Sequence, residues 1–192
     1  GLNGISHENP SPWWFISFTI NFYVVFHGDQ FLFLLVFLWS IAIEEQFYLV
    51  WGVVMKWLKS WLDPACLLLI LTSIVFRYLY LDNQRTLYFH TLSAIGNFGA
   101  GALLAVFSFR KSKWFYRLCQ LSPYTIAMVY ATLFACIIFY PLLFSPQWIV
   151  PFERFIFSAL FAFVIFEQSF CDRSVFKIGK LKPLNYLGKI SY

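Results

Sequence analysis

Long apolar segments separated by short polar stretches are the feature that most constrains how this chain can fold. Only 12% of the 192 residues are charged, whereas soluble domains carry about 25% charged residues. A helix of about 20 apolar residues can cross the hydrocarbon core of a bilayer. The pattern therefore predicts an all-α, polytopic transmembrane helical bundle with five full spans, and not the buried helices of a soluble protein. The predicted spans are one within Phe31–Leu58, then Pro64–Leu81, Leu92–Phe109, Pro123–Phe144 and Pro151–Phe170.

Both ends of the chain are typical of parts of further helices. Trp13–Phe26 is apolar but short for a span, which predicts a truncated, interfacial or re-entrant segment. The last six residues, L-G-K-I-S-Y, predict the start of another helix. Because the chain begins at Gly1 with no Met, we expect residues 1–192 to form a single integral-membrane domain that is incomplete at both ends.

The basic residues predict how the chain is oriented. Eleven of the 14 Lys and Arg residues cluster after alternate apolar segments, whereas the opposite loops, 82–90 and 145–150, contain only Arg85. Basic loops favour the cytoplasmic side of a membrane, so we expect loops 110–117 and 173–182 to be cytoplasmic in a multi-pass protein of the plasma (inner) membrane. The net charge of +5 is then a signal of topology, and we expect no nucleic-acid partner. Loop 110–117, with its interleaved aromatic residues, fits anionic lipid headgroups or an anionic cytosolic cofactor.

The remaining basic residues are Arg77, Arg85 and Arg154, which the same pattern places on the outer side. Each of them could anchor its segment at the interface, bind an anionic group, or pair with Glu153 or Glu44. The sequence alone leaves these alternatives open.

Cysteine and histidine spacing gives no sign of a metal site. The four cysteines are far apart and form no C-x-x-C pair, and the three histidines are scattered. We interpret the cysteines as small buried hydrophobic residues rather than disulfides or metal ligands. No metal cofactor is therefore expected.

The segment W-S-I-A-I-E-E-Q-F-Y-L-V-W, Trp39–Trp51, carries two adjacent carboxylates within the first apolar segment. Ionisable groups at membrane depth are expensive and usually functional. On a helix Ser40, Glu44 and Tyr48 share one face, because they are four residues apart. In a partly dry cavity Glu44 could handle a proton or accept a hydrogen bond from a sugar hydroxyl. Alternatively, both glutamates lie at the outer interface and pair with an arginine.

The third apolar segment is rich in small residues. Gly96 with Ala100, and Gly101 with Ala105, form small-x-x-x-small pairs that allow close helix packing. His90 precedes this segment and is either structural or part of the lining of a site.

Four stretches resemble acyltransferase family 3, the integral-membrane O-acyltransferases. Trp39–Trp51 resembles the family signature W-S-L-x-V-E-E-Q-F-Y-L-x-W. The other stretches, in the expected order, are S-F-T-I-N-F-Y before it and then Y-F-H-T-L-S-A-I-G-N-F-G-A-G-A-L-L-A and L-G-K-I-S-Y after it. Together they cover most of the chain and correspond to the middle and later part of a domain of about ten helices.

The resemblance implies a reaction. Such enzymes move an acyl group, often acetyl, from acyl-CoA to a hydroxyl of a carbohydrate, peptidoglycan or lipid-linked glycan. The family's main catalytic His lies on a first helix that residues 1–192 do not include, so none of His7, His27 and His90 is assigned as the base. The residues expected to support catalysis are Glu44 and Glu45, and those expected to bind substrate are Trp39, Ser40, Gln46, Tyr48 and His90. Many relatives have an Arg where this chain has Ala94-Ile95-Gly96. If that Arg binds acceptor or cofactor in the relatives, this protein binds it with other residues.

Two other functions remain open. A proton-coupled transporter or flippase of glycolipids or organic anions could also use intramembrane glutamates, although the chain lacks the paired repeats that many transporters show. A non-catalytic membrane scaffold would tolerate the loss of both glutamates.

Overall fold

The computed structural model describes residues 10–28, 37–111 and 113–171, together with positions 177, 183, 186, 189 and 190. The described residues form an all-helical structure with no strand, as predicted. A short 3-10 helix, Lys59–Trp61, leads into the fourth α-helix. In chain order the α-helices are α1 (Trp13–Ile16), α2 (Ile20–His27), α3 (Leu38–Trp57), α4 (Leu62–Leu79), α5 (Gln84–Phe89), α6 (Thr91–Arg110), α7 (Lys113–Cys119), α8 (Pro123–Ile138), α9 (Tyr140–Leu143) and α10 (Val150–Phe170).

Two helical stretches of the described residues are long and apolar enough to cross a membrane. They are Lys59–Leu79, with 21 residues and a mean hydropathy of 1.7, and Gln84–Arg110, with 27 residues and a mean hydropathy of 1.6. They correspond to the second and third predicted spans. Lys113–Cys119 and Pro123–Ile138 add a third only if the pair, bent by 86°, is counted as one broken span or re-entrant loop.

The prediction of five full spans is therefore wrong for the described residues. Helices form at the first and fifth predicted positions, but the Glu44–Gln46 run lowers the hydropathy of α3, and α10 carries Glu153, Arg154 and Glu167. The fourth predicted span breaks at Phe139, between α8 and α9. Pro141 lacks a backbone N–H and clashes with a preceding helical turn, which explains the break.

The packing of α4 against α6 forms the centre of the structure. A Cβ atom added at Gly96 would lie 2.8 Å from Cβ of Ser73, and one added at Gly99 would lie 3.0 Å from the carbonyl oxygen of Cys66. The prediction that the Gly96 face packs closely is thus confirmed. Gly101 has no atom within 4 Å of its added Cβ among the described residues, so the face of Gly101 and Ala105 is not used in this way.

Asp63 and Ser122 each precede a proline that opens a predicted span, and Asp and Ser are favoured N-caps. The sequence therefore predicts a cap at each position, and the outcomes differ. The hydroxyl of Ser122 accepts a hydrogen bond of 3.2 Å from the backbone N–H of Thr125 and caps α8, as predicted. Asp63 is not a cap, because α4 begins one residue earlier and places Asp63 in its first turn. Its carboxylate instead forms an ion pair with Arg110 at the end of α6.

Candidate functional site

The motif Trp39–Trp51 lies on α3 and divides that helix into two faces. Ala42 and Ile43 are buried, at 1% and 2% exposure, and Phe47 is buried with them. Phe47 stacks on Phe98 of α6 at a ring distance of 4.6 Å. The apolar residues of the motif therefore fix α3 to its neighbours, and the polar residues occupy the other positions.

A hydrogen-bonded network of Asn21, Gln46 and Thr91 joins α2, α3 and the start of α6. The Gln46 amide donates to Oδ1 of Asn21 at 2.9 Å and to the carbonyl oxygen of Phe18. Thr91 Oγ1 donates to Oε1 of Gln46 at 2.6 Å and accepts from Nδ2 of Asn21 at 2.9 Å. Asn21 is fully buried, so these bonds satisfy polar groups that water does not reach. Gln46, predicted to bind substrate, is thus committed to bonds within the chain.

Glu44 and Tyr48 lie on the exposed face of α3. The Tyr48 hydroxyl donates to Oε1 of Glu44 at 2.8 Å. Ser40 is exposed on the same side, and its hydroxyl donates to the carbonyl oxygen of Phe37 at 3.0 Å. The shared face of these three residues is therefore confirmed. Glu44 is exposed, so the described residues do not enclose the dry cavity considered for it, whereas Glu45 is half-buried beside it.

Trp39 and His90 are held in aromatic contacts. Trp39 packs against Tyr88 and Phe89, each at a ring distance of 5.1 Å. The His90 ring lies between Phe22, at 5.2 Å, and Phe76, at 4.5 Å. Nδ1 of His90 also accepts a hydrogen bond of 3.1 Å from the backbone N–H of Leu92, which caps α6. Of the two alternatives for His90, these contacts favour the structural one.

A pocket of about 560 Å³ lies where α4, α5, α9 and α10 meet, and its lining includes Arg77, Arg85 and Arg154. We call it the arginine pocket. These are the three basic residues that the sequence places away from the basic loops. Tyr88 and Tyr140 contribute aromatic walls, and Glu153 is the carboxylate in the lining.

Arg77 is the structural centre of the arginine pocket. It is 3% exposed. Its guanidinium donates to the carbonyl oxygens of Val150, at 2.8 Å, and Leu87, at 3.4 Å, and to Ser93 Oγ at 3.0 Å. It also forms an ion pair of 3.2 Å with Glu153, whose other oxygen accepts from Tyr140 at 2.8 Å. Pairing with Glu153, one of the alternatives that the sequence left open for these arginines, is thus observed for Arg77.

Arg85 and Arg154 have no carboxylate partner among the described residues, where the ion pairs are Arg77–Glu153 and Arg110–Asp63. Arg154 donates to the carbonyl oxygen of Tyr88 at 3.1 Å. Burial, and then the nearby charge of Arg77, lower the pKa of Arg154 to about 10. Arg154 therefore remains a cation at neutral pH.

Two cysteines that are 52 residues apart meet at the other end of α10. The Sγ atoms of Cys119 and Cys171 are 2.7 Å apart, although both cysteines are free. Burial, and then the hydrogen bond to Cys119, raise the pKa of the Cys171 thiol to about 12, so it stays protonated at neutral pH. All four cysteines are free, and Cys66 and Cys171 are buried. The sequence interpretation of the cysteines as small buried hydrophobic residues did not include the contact between Cys119 and Cys171.

The basic loop 110–117 lies in the described part of the chain except for position 112, and loop 173–182 lies outside it except for Lys177. The Arg117 guanidinium lies 4.9 Å from the ring centre of Trp114. The Lys177 ammonium donates to the carbonyl oxygen of Gln168 at 2.9 Å. The final stretch L-G-K-I-S-Y is likewise outside the described residues apart from positions 189 and 190.

The structure thus brings some of the predicted site residues together and separates others. Gln46 joins the network, Trp39 adjoins the arginine pocket through Tyr88, and Glu44 with Tyr48 faces outward. The sequence did not predict the arginine pocket as a unit, because Arg154 is far from Arg77 and Arg85 in the sequence. The available signal was that these three arginines lie away from the basic loops in the sequence.

Comparison of the chain with models of protein families, with curated proteins and with solved structures found no match. The resemblance to acyltransferase family 3 therefore rests on the motif residues and stays a prediction.

Proposed function

We propose that this chain is part of a membrane-bound O-acyltransferase that moves an acyl group, typically acetyl, from acyl-CoA to a hydroxyl of a cell-surface carbohydrate, peptidoglycan or lipid-linked glycan. One observation carries the proposal. The three separate stretches that resemble the family and lie in the described residues meet in the network of Asn21, Gln46 and Thr91. A common cluster gives these motif residues a shared physical reason to occur together.

Glu44 has a supporting role in this proposal. Acyl transfer needs a base that removes the proton of the acceptor hydroxyl and donors that stabilise the developing oxyanion. The resemblance implies that the base is a histidine on the family's first helix. Glu44, oriented by its hydrogen bond from Tyr48, would hold that histidine or the acceptor hydroxyl in position, as a carboxylate orients the histidine of a hydrolase triad.

The two substrates would approach from opposite sides. Acyl-CoA is highly anionic and would meet the basic surface around loop 110–117, on the cytoplasmic side of the plasma membrane. The acceptor would approach the other end of the helices, where Trp39 and Tyr88 provide aromatic surfaces. This arrangement follows the positive-inside rule and requires no metal.

The function is tested with the intact protein in membranes supplied with acetyl-CoA and candidate acceptors. We expect CoA release that requires an acceptor, and Glu44→Gln should lower it by roughly tenfold or more, because positioned acid–base groups contribute about 10²- to 10⁴-fold to rates. Asp82→Asn is the matched control, since Asp82 is an exposed loop carboxylate. Full activity of Glu44→Gln would exclude its role in handling or orienting a proton.

The same assay separates the acyltransferase from the transporter or flippase alternative. A transporter would move its glycolipid or organic anion without consuming acyl-CoA. Substrate flux with no CoA release would therefore contradict the proposed function.

A further inference from the structure

We propose that the arginine pocket binds the carboxylate or phosphate of an acidic acceptor saccharide. The nature of the acceptor rests on the proposed function, but the affinity of the pocket for an anion does not. The proposal names a ligand class for a site that is distinct from the Glu44–Tyr48 face.

The first step of the argument is charge. Among the described residues, the lining of the arginine pocket contains three guanidinium groups and one carboxylate, that of Glu153. That carboxylate is already engaged, because one oxygen meets Arg77 at 3.2 Å and the other accepts from Tyr140 at 2.8 Å. Arg85 and Arg154 therefore leave an excess of positive charge in the pocket.

The second step is the distribution of free donors. Arg77 is buried and its guanidinium is used by four acceptor groups of the chain. Within the described residues Arg154 donates one hydrogen bond, to the Tyr88 carbonyl, and Arg85 is exposed at the start of α5. A guanidinium has five N–H donors in a planar fork that fits the two oxygens of a carboxylate or phosphate. Arg85 and Arg154 thus have donors to offer to a ligand.

The third step is shape. The pocket volume of about 560 Å³ lies within the roughly 300–1,000 Å³ of small-molecule sites. Its walls include Tyr88 and Tyr140, with 55% and 41% of their surfaces exposed. Aromatic faces can pack against the apolar C–H face of a sugar ring while their hydroxyls bond its oxygens. A saccharide with one acidic group matches both the walls and the charge.

Gly28 lies next to the guanidinium of Arg85. A Cβ atom there would lie 3.5 Å from Nη2 of Arg85, and the φ angle of +91° favours glycine. A side chain at this position would therefore lie against the Arg85 guanidinium.

The test measures anion binding by the full chain in nanodiscs of phosphatidylcholine. Glucuronate serves as the acidic sugar, inorganic phosphate as the bare anion and glucose as the neutral sugar, each titrated by calorimetry. We expect saturable binding of glucuronate and phosphate and at least tenfold weaker binding of glucose. Arg85→Gln should weaken glucuronate binding by roughly tenfold, the effect of losing one charge-assisted hydrogen bond.

The matched control is Lys56→Gln, which removes one exposed positive charge at the end of α3. It should leave glucuronate binding unchanged. Arg154→Gln provides a second variant, and if it fails to fold, Arg85→Gln decides alone because Arg85 is exposed. Absence of glucuronate binding, or equal effects of Arg85→Gln and Lys56→Gln, would overturn the proposal.

A second arm distinguishes a saccharide from a lipid headgroup. The titration is repeated in nanodiscs that contain phosphatidylglycerol. Unchanged glucuronate affinity supports the assignment of the pocket to an acceptor saccharide. If glucuronate no longer binds, and if phosphatidylglycerol binds to the protein in a way that depends on Arg85, the pocket is a lipid site and the proposal is overturned. The binding assay contains no acyl-CoA, so its result is independent of the acyltransferase assay. If acyl transfer fails, the pocket still binds an anion, but that anion is not an acceptor. If anion binding fails, acyl transfer to neutral acceptors is still possible.

Discussion

Gln46 and Glu44 are two residues apart, and their surroundings assign them different tasks. Gln46 joins Asn21, Thr91 and the Phe18 carbonyl, whereas Glu44 points to the exposed face with Tyr48. Gln46→Leu should therefore destabilise the protein, because the fully buried Asn21 loses a partner. We expect a loss of about 1–3 kcal/mol in the free energy of unfolding, measured by denaturant titration in detergent micelles.

Gln120→Leu is the control at the residue scale, because Gln120 is exposed after α7. Its effect should stay within roughly 0.5 kcal/mol, as for most surface substitutions. If both leucine variants unfolded alike, the network would not hold the three stretches together. Glu44→Gln, by contrast, should change acyl transfer and leave unfolding unaffected.

At the scale of elements, the contact of α4 with α6 depends on two glycines that face α4, Gly96 and Gly99. A methyl group at Gly96 would meet Ser73, at 2.8 Å from its Cβ atom. Gly96→Ala should therefore destabilise the helix pair, since overpacking typically costs about 1–3 kcal/mol. The thermal unfolding midpoint of the purified protein in detergent measures the effect.

Gly101→Ala supplies the matched control on the same helix. No atom of the described residues lies within 4 Å of a Cβ at Gly101, and alanine favours a helix over glycine by up to about 1 kcal/mol. This variant should match or exceed the stability of the unmodified chain. A lower midpoint for Gly101→Ala than for Gly96→Ala would mean that α6 packs on its other face.

At the scale of the whole molecule, the sequence predicts what depends on nearby residues better than what depends on tertiary packing. Apolar length predicts the spans at Lys59–Leu79 and Gln84–Arg110, and helical spacing predicts the contact of Glu44 with Tyr48. The break at Phe139 has a local cause in Pro141 that span length alone overlooks. The meeting of Arg77 with Glu153, 76 residues later, depends on α4 and α10 packing together. No local pattern determines that contact.

The charges predict an orientation of the whole molecule in the membrane, and this prediction can be tested directly. If the positive-inside rule holds, Asp82, in the loop before the arginine pocket, is extracellular or periplasmic and Lys113, beyond α6, is cytoplasmic. In a background with the four cysteines replaced, Asp82→Cys should react with a membrane-impermeant maleimide in intact cells, and Lys113→Cys only after the membrane is opened. Both residues are exposed, so burial would not mask the result. Labelling of Lys113→Cys alone would invert the orientation, and labelling of both in intact cells would mean that Gln84–Arg110 does not cross the membrane. The proposed function needs the basic loop on the cytoplasmic side, where acyl-CoA is, and the arginine pocket on the side of the external acceptor. Either of these labelling results would contradict that arrangement.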